Sequence, residues 1–307
     1  MSRLPLVSPL DRAVFLKAQP YLSGLPSTAI AALAQHTEER FFSAKEVVYE
    51  AGVPPAHVYF LASGGVRTQY EGSPPFDISS PGGIGLIEHL AGSERPPSAR
   101  ALEDTLALSV DISSLMQIVE DDFVLYMTLA RNLALAATQA VSEQGSEGLP
   151  ERGFPEDRLQ ETYATLDLVH RLAQAREAPF FEGSSLTVLT ELLRFQEPRV
   201  LPQGATLWKQ GSPVESMVLA LDGTFVTTRA GVETVHPVGS MLGGWEIFTG
   251  QPRFETAQAV TAARTIEIDR ALLADVLEDH FEFAIDYMSK LCRRVIEVRF
   301  SLRGRHG

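Results

Sequence analysis

Short apolar segments separated by glycine and proline recur along two stretches of the chain, residues 20–135 and 179–293. In each stretch, apolar residues appear first at helical spacing, then in short runs, and finally in a longer helical stripe. The predicted strands are residues 46–50, 58–61, 66–70 and 102–110 in the first stretch, and 206–209, 217–221, 224–228, 234–238 and 257–268 in the second. Short strands at this spacing, with glycine turns between them, predict an all-β barrel or roll in each stretch.

The two stretches are copies of one folding unit. Gly52 matches Gly211, which lies 159 residues later, and one deleted residue brings the later parts of the copies into alignment at a distance of 158. An internal repeat of this length defines the architecture before any motif is considered. We therefore predict two domains, residues 1–144 and 158–307, joined by a linker at 145–157 that is rich in Gly, Pro and Glu.

Each copy ends in a helix with an apolar stripe at positions i, i+3 and i+4. The stripe residues are Leu115, Ile118, Val119, Phe123, Tyr126, Met127, Ala130 and Leu133 in the first copy, and Leu273, Val276, Leu277, Phe281, Ile285, Met288 and Leu291 in the second. A further amphipathic helix is predicted for residues 158–175, at the start of the second domain. Such stripes either pack into the core of their own domain or form a seam with a second subunit.

Composition and charge indicate a cytoplasmic protein. No apolar run approaches the roughly 20 residues of a membrane-spanning helix, and the first residues lack the basic end and apolar core of a signal peptide. The single cysteine, Cys292, excludes an internal disulfide. The net charge of −13 argues against binding to nucleic acids, which depends on lysine and arginine at the phosphates.

The sequence predicts no enzyme. The seven histidines are scattered without the paired spacing of zinc ligands. A Gly-x-Ser-x-Gly elbow and a Walker loop are both missing, and no metal or catalytic residue is predicted. Only 37 residues follow Arg270, and these are predicted to form the closing helices, so we expect no helix-turn-helix there.

Three features repeated in both copies resemble the cyclic nucleotide-binding domain. The first is the block at residues 42–52, echoed at 201–211. The second is the block at residues 58–64, echoed at 217–223. The third is a glycine and an arginine ten residues apart, Gly85 with Arg95 and Gly243 with Arg253. The resemblance implies a mainly β fold with flanking helices: two tandem cyclic-nucleotide-binding-type β-rolls (jelly rolls), each with helices at its N- and C-terminal ends.

The family's cassette, roughly Gly-Glu-Leu-Ala-Leu followed by Arg-x-Ala-Thr, implies a ligand site. A short helix begins at the glycine, and its free N–H groups bind the cyclic phosphate. The arginine binds the same phosphate, and the glutamate accepts a hydrogen bond from the ribose. On this resemblance the candidate ligand-binding residues are Gly85, Leu86, Ile87, Glu88, Arg95 and Ser98 in the first cassette, and Gly243, Gly244, Trp245, Glu246, Arg253 and Thr256 in the second.

The cassettes depart from the family pattern in ways that weaken this site. Leu86 and Gly244 replace the ribose glutamate. Pro96 and Pro97 remove backbone N–H groups from the first cassette. Glu255 lies two residues after Arg253 in the second, and on a strand it would share a face with the arginine and neutralise it.

Both cassettes carry a glutamate that the family does not require, Glu88 and Glu246. A carboxylate in the first turn of a helix is favoured by the helix dipole. One hypothesis is that these glutamates, with Arg95 and Arg253, partly fill the place of a phosphate. The alternative is an exposed glutamate at an ordinary helix start.

The sequence leaves two functions open. The first is a regulatory, non-enzymatic protein that senses a nucleotide with weak or altered specificity and signals through its closing helices to a protein partner or a second copy of the chain. Cyclic AMP, cyclic GMP and a cyclic dinucleotide are the candidate ligands. The second is a ligand-free scaffold or interaction protein built on two degenerate rolls.

Overall fold

The computed structural model describes residues 8–92, 96–143 and 167–301, with the side chains of 140–143 and 298–301 left out. The chain divides into two compact units. One contains the residues up to 140 together with those from 287 onward, and the other contains residues 141–286. The predicted linker at 145–157 lies outside the described residues, as does the first half (158–166) of the helix predicted for residues 158–175; its second half is described, and residues 168–175 are helical.

The first roll lies between two pairs of helices. Its elements are α1 (Pro9–Lys17), α2 (Ser27–Gln35), β1 (Thr37–Phe42), β2 (Val47–Tyr49), β3 (His57–Ser63), β4 (Gly65–Gln69), β5 (Phe76–Ser79), β6 (Gly82–Ile84), α3 (Leu86–Leu90), β7 (Ser98–Ala101), β8 (Thr105–Asp111), α4 (Ile112–Asp121) and α5 (Phe123–Glu143). A short 3-10 helix, Pro20–Leu22, lies between α1 and α2.

The second roll repeats this succession. Its elements are α6 (Leu168–Glu177), a 3-10 helix (Pro179–Phe181), α7 (Leu186–Leu193), β9 (Arg199–Leu201), β10 (Thr206–Trp208), β11 (Ser216–Asp222), β12 (Phe225–Arg229), β13 (Val232–His236), β14 (Met241–Leu242), a second 3-10 helix (Glu246–Phe248), β15 (Thr256–Ala259), β16 (Ala263–Asp269), α8 (Arg270–Asp279) and α9 (Phe281–Ser301).

Strand order confirms the predicted fold of tandem rolls. The first roll contains one antiparallel sheet in the order β1-β8-β3-β6 and another in the order β2-β7-β4-β5. The second roll has the equivalent orders β9-β16-β11-β14 and β10-β15-β12-β13. In each roll a compact apolar cluster draws side chains from both sheets, around Leu61 and Val66 in the first and around Ala220 and Phe225 in the second. The alternation of buried and exposed residues along the strands places these clusters between the sheets.

An aspartate at equivalent positions caps the first closing helix of each roll. The side chain of Asp111 accepts a hydrogen bond from the Ser114 N–H and caps α4. Asp269 accepts one from Leu272 N–H and caps α8 in the same way. A side-chain acceptor at this position satisfies one of the free N–H groups at a helix start.

Two equivalent arginines hold the N-terminal helix of each roll. Arg12 of α1 donates to the backbone carbonyl of Thr37, and Arg171 of α6 donates to that of Gln196. The pairs lie 159 residues apart. They were not predicted from the sequence, although the repeat aligns both arginines.

Two predicted strands are wrong in their extent. The strand predicted at residues 102–110 starts on the bend that follows β7 and otherwise corresponds to β8, whereas the one predicted at 257–268 joins β15 and β16 across a bend. Residues 102–104 separate β7 from β8, and residues 260–262 separate β15 from β16. Leu102 and Val260 lie on these bends and are exposed. Their apolar side chains made each run look continuous.

Candidate ligand-binding cassettes

The second cassette begins at Gly243, whose φ of +74° lies in the left-handed region. A Cβ atom added at this position would overlap the Nη1 atom of Arg253. The guanidinium group therefore lies directly against the start of the cassette, and only glycine leaves room for it. The short 3-10 helix Glu246–Phe248 follows.

Arg253 forms an ion pair with Glu246 inside the second roll. The Nη1 atom of Arg253 donates to Oε2 of Glu246 at 2.8 Å, and the side chains are 3% and 1% exposed. Arg253 Nη2 donates to the backbone carbonyl of Ser216. The other oxygen of Glu246, Oε1, accepts a hydrogen bond from the Phe254 N–H at 3.1 Å. Both oxygens of Glu246 and both terminal nitrogens of Arg253 are thus bonded to groups of the chain itself, whereas the buried Nε of Arg253 has no hydrogen-bond partner among the described residues.

Burial dominates the electrostatics of this pair. It raises the pKa of Glu246 above its ordinary value, against the opposing effects of the hydrogen bond and charge of Arg253. Removing water from two charges costs free energy that their attraction offsets only when the geometry is good. Removing either partner would leave a buried, uncompensated charge on the other.

Aromatic rings surround the ion pair. The Cζ atom of Arg253 lies 3.8 Å from the ring centroid of Trp208, which is close enough for a cation–π contact. The rings of Trp245 and Phe254 meet edge to face at 5.6 Å, and Arg229 Cζ lies 5.3 Å from the Phe254 ring. Of these residues the sequence analysis selected Trp245 and Arg253. It overlooked the others, although Trp208 stands in the repeated block at 201–211.

The first cassette has the same start and a different continuation. Gly85 has a φ of +102°, and an added Cβ would overlap the backbone oxygen of His57. The helix α3 follows. Glu88 is 3% exposed, and its Oε2 atom accepts a hydrogen bond from the Gly85 N–H at 2.8 Å. The backbone N–H at the start of the cassette helix is therefore already bonded to this carboxylate.

A tyrosine faces Glu88 where the second roll has Trp208. Tyr49 is buried, and burial together with the charge of Glu88 raises the pKa of its hydroxyl far above the ordinary value. Both positions lie on the strand that pairs with the end of the cassette, β2 with β7 and β10 with β15. The side chain that lies beside Glu88 in the first roll is thus a neutral phenol.

The backbone register after the cassette differs between the rolls by one residue. The Gly211 N–H donates to the carbonyl of Arg253 at 2.7 Å, whereas the Gly52 N–H donates to the carbonyl of Pro96 at 2.9 Å. Sequence alignment pairs Arg253 with Arg95, so the carbonyl that accepts this bond in the first roll belongs to the residue after the aligned arginine. Arg95 itself lies outside the described residues.

The hypothesis of exposed glutamates is wrong, since Glu88 and Glu246 are both buried. The interpretation of Glu255 is also wrong in its premise. Strand β15 begins only at Thr256, so Arg253 and Glu255 do not share a strand face. The carboxylate that pairs with Arg253 at 2.8 Å belongs to Glu246.

The other candidate residues lie at the ends of strands, in the buried turn of the second cassette or on helix α3. Thr256 Oγ1 accepts a hydrogen bond from the Gln210 N–H at 3.0 Å, which ties β15 to the turn after β10. Ser98 begins β7 and is half-buried, and Gly244 is buried. Leu86 and Ile87, on α3, are half-buried and line a cavity on the outer side of the sheet. Their role in ligand binding stays a prediction.

Within residues 8–92, 96–143 and 167–301, no cluster of three or more His, Cys, Asp or Glu side chains is arranged to hold a metal ion. The helices in the same part of the chain are too short or too polar to cross a membrane.

Comparison with known families identifies the fold of both rolls. The model of the cyclic nucleotide-binding domain matches residues 39–122 and 198–280, which together make up more than half of the chain. The protein therefore belongs to this family and carries the domain twice, which confirms the resemblance seen in the sequence.

Individual relatives are distant. A CRP-like cAMP-activated global transcriptional regulator of Mycobacterium tuberculosis is 24% identical over 124 residues, which are 38% of this chain and 55% of that protein. A cyclic nucleotide-gated potassium channel of Mesorhizobium japonicum is 27% identical over 109 residues, 34% of this chain and 29% of the channel. The match thus spans about half the length of the first relative and less of the second.

Among solved structures, the regulatory subunit of a cAMP-independent protein kinase A from Trypanosoma cruzi, bound to guanosine, is similar along most of its length. It is 15% identical, with a TM-score of 0.37, and the alignment covers 94% of this chain and 90% of that one.

Proposed function

We propose that this is a non-enzymatic regulatory protein of the cytoplasm in which the second roll replaces a cyclic nucleotide by its own ion pair. The buried contact between Glu246 and Arg253 supports this. In the family, the cassette arginine binds the cyclic phosphate. Here a carboxylate of the same chain already binds that arginine.

A cyclic nucleotide would bind the second roll only at a high cost. Its phosphate would have to displace Glu246 from Arg253, and the carboxylate would then lie buried without its cation. Gly244 also supplies no acceptor for the ribose hydroxyl. A missing partner for a polar group costs about 1–3 kcal/mol, or roughly tenfold or more in affinity.

Nucleotide sensing is therefore proposed for the first roll, with weak or altered specificity. Tyr49 at the position of Trp208, and the Pro96 carbonyl as the acceptor of the Gly52 N–H, set it apart from the second roll. Leu86 stands at the position of the ribose glutamate, so the ordinary preference for a ribose 2′-hydroxyl is weakened. Cyclic AMP, cyclic GMP and a cyclic dinucleotide remain the ligands to compare, and the closing helices carry the signal to a protein partner.

Isothermal titration calorimetry of the full chain with these three ligands tests the proposal. Any binding should have a stoichiometry of one per chain, persist in Arg253→Met and weaken in Arg95→Ala. Restoring the second site with Gly244→Glu and Glu246→Ala together should add a second binding event. Micromolar binding that Arg253→Met abolishes would overturn the proposal.

A ligand-free interaction protein is the second candidate, and Glu88 favours it. The Glu88 carboxylate accepts a hydrogen bond from the Gly85 N–H, so one backbone donor that would bind a phosphate in the first cassette is already occupied. Absence of binding of all three ligands to the wild-type chain, with gain of binding in the restored variant, would select this function.

A further inference from the structure

A cavity of about 50 Å³ lies in the first roll between α3 and the closing helices α4 and α5. Val58 and Phe60 of β3 line it. Their neighbours Tyr59 and Leu61 point to the opposite face of the strand and belong to the core between the sheets. The cavity therefore lies on the outer side of the sheet, apart from that core.

The lining of the cavity is almost entirely apolar, and the polar side chains of Asn132 and Glu88 in it have hydrogen bonds within the protein. Asn132 Nδ2 donates to the backbone oxygens of Tyr21 at 2.7 Å and Ser23 at 3.2 Å. Glu88 accepts from the Gly85 N–H. A polar occupant would lose its hydration without gaining these partners, so the lining suits an apolar one.

The second roll has larger side chains at several of the positions that line this cavity in the first roll. Phe60 pairs with Gly83 across β3 and β6, and the equivalent Leu219 pairs with Met241 across β11 and β14. Larger side chains also stand at four other equivalent positions, and all are buried. These replacements are Leu22 by Phe181, Val58 by Met217, Leu125 by Phe283 and Leu129 by Tyr287.

The size and mouth of the cavity define what it can hold. One water-sized probe takes up about 10–15 Å³, so the cavity has room for about four methylene-sized groups. Tyr21, Leu86, Ile87 and Asn132 line the cavity and are only half-buried, so one side of it reaches the surface. Apolar cavities stay dry and take up apolar molecules.

We propose that this cavity binds the end of an aliphatic chain, about four carbons long, whose polar head group stays at the mouth. The bound chain would pack between Leu86 and Ile87 of the cassette helix and Leu115 and Leu129 of the closing helices. Occupancy would thus couple the position of the cassette to that of α4 and α5. The proposal is independent of nucleotide binding to either roll.

The test is calorimetric titration of the full-length protein with 1-hexanol and with hexanoate. Saturable binding of at least one of them, with one site per chain, is expected. Gly83→Met, which copies Met241, should weaken it by about tenfold or more, because the new side chain fills the cavity. A Cβ added at Gly83 would lie 3.6 Å from the Tyr21 ring, an ordinary contact, so the variant has space to fold.

The reverse change in the second roll is the matched control. Met241→Gly should leave the stoichiometry at one, because the larger side chains at the four other equivalent positions of the second roll remain. Gly83→Ala, checked by circular dichroism, provides a milder variant with an intermediate loss of affinity. Lack of saturable binding to the wild-type chain, or binding that Gly83→Met and Gly83→Ala leave unchanged, would overturn the proposal.

Discussion

The two rolls share strand order, capping aspartates and cassette glycines, yet they differ in the aromatic residue beside the cassette and in the backbone register that follows it. The second roll has a buried arginine held between a glutamate and a tryptophan. The first has a proline carbonyl at the same point of the backbone register, beside a buried tyrosine. Two copies of one fold therefore have the candidate site at the same position, and individual residues determine which group occupies it.

Breaking the ion pair should have the largest effect on this difference. Arg253→Ala leaves the Glu246 carboxylate buried without its cation, so it should lower the free energy of unfolding of the second roll by about 3–5 kcal/mol. Urea unfolding of the full chain measures this. The double variant Glu246→Leu with Arg253→Met should recover most of the loss, because a well-packed apolar pair can replace a buried ion pair.

A cost of Arg253→Ala below about 1 kcal/mol, in the range of exposed ion pairs, would contradict the account of the second cassette. So would a double variant that is no more stable than the single one.

The cassette glycines come next in expected effect. Gly85→Ala places a Cβ against the backbone oxygen of His57, and Gly243→Ala places it against the guanidinium of Arg253. Left-handed strain plus overlap should cost about 2–4 kcal/mol in each case, measured by urea unfolding. The first variant should cost more, because a strand carbonyl yields less than a side chain.

Gly211→Ala is the matched control for these substitutions. Gly211 has a φ of +85°, but an added Cβ meets nothing within 4 Å. It should therefore show the backbone strain alone, about 1–2 kcal/mol. Equal losses in Gly211→Ala and Gly243→Ala would show that the guanidinium does not press on the cassette.

Substitution of Arg12 and Arg171, which hold the N-terminal helices, should change the free energy of unfolding less. Arg171→Ala removes a charge-assisted hydrogen bond from a buried guanidinium, at a cost of about 1.5–3 kcal/mol. Arg12→Ala should cost less, because Arg12 is half-buried and water can replace part of the bond. Thermal unfolding of both variants measures the order, and a larger loss for Arg12→Ala would contradict it.

The smallest effect concerns pH and has opposite signs in the two rolls. The pKa of Glu246 is raised by burial, so its contribution to stability is complete below the ordinary value of 4.5 and is lost as the pH rises through the folded value. The pKa of Asp111 is lowered, chiefly by the Ser113 hydroxyl and the Ser114 N–H. Its contribution is present above 3.8 and is lost as the pH falls through its folded value.

Unfolding free energies measured between about pH 3 and pH 8 should separate these two groups. In the wild-type chain, Glu246 lowers the free energy of unfolding as the pH rises, and this trend should be absent in Glu246→Gln. Asp111 raises the free energy of unfolding as the pH rises, and that trend should be absent in Asp111→Asn. The same pH trend in both difference curves would contradict the assignment.

The repeat made most of the fold predictable, because each strand and glycine turn could be checked against its copy. Strands β1, β5, β6, β7, β9 and β14 were not predicted. They are short or carry few apolar residues, and their place is set by pairing with distant strands. Leu102 and Val260 are exposed residues on bends, and an apolar residue on a bend makes a predicted strand too long.

The site was predictable in its position and in part of its chemistry. The hypothesis that Glu246 and Arg253 fill a phosphate site rests on residues that the structure does bring together. The register shift at Pro96 could not be read from the sequence, because it arises from the backbone bond of Gly52. The contact of Trp208 with Arg253 likewise depends on strands that are distant along the chain.

The most direct measurement of the central claim uses the tryptophan beside the ion pair. The chain has two tryptophans, so Trp245→Phe leaves Trp208 as the single reporter, with Arg253 3.8 Å from its ring. We predict that its fluorescence is unchanged on titration with cyclic AMP or cyclic GMP up to about millimolar concentration, where weak binding would appear. A saturable micromolar change that Arg253→Met abolishes would show that nucleotide reaches the arginine, and would contradict the claim that Glu246 holds its place.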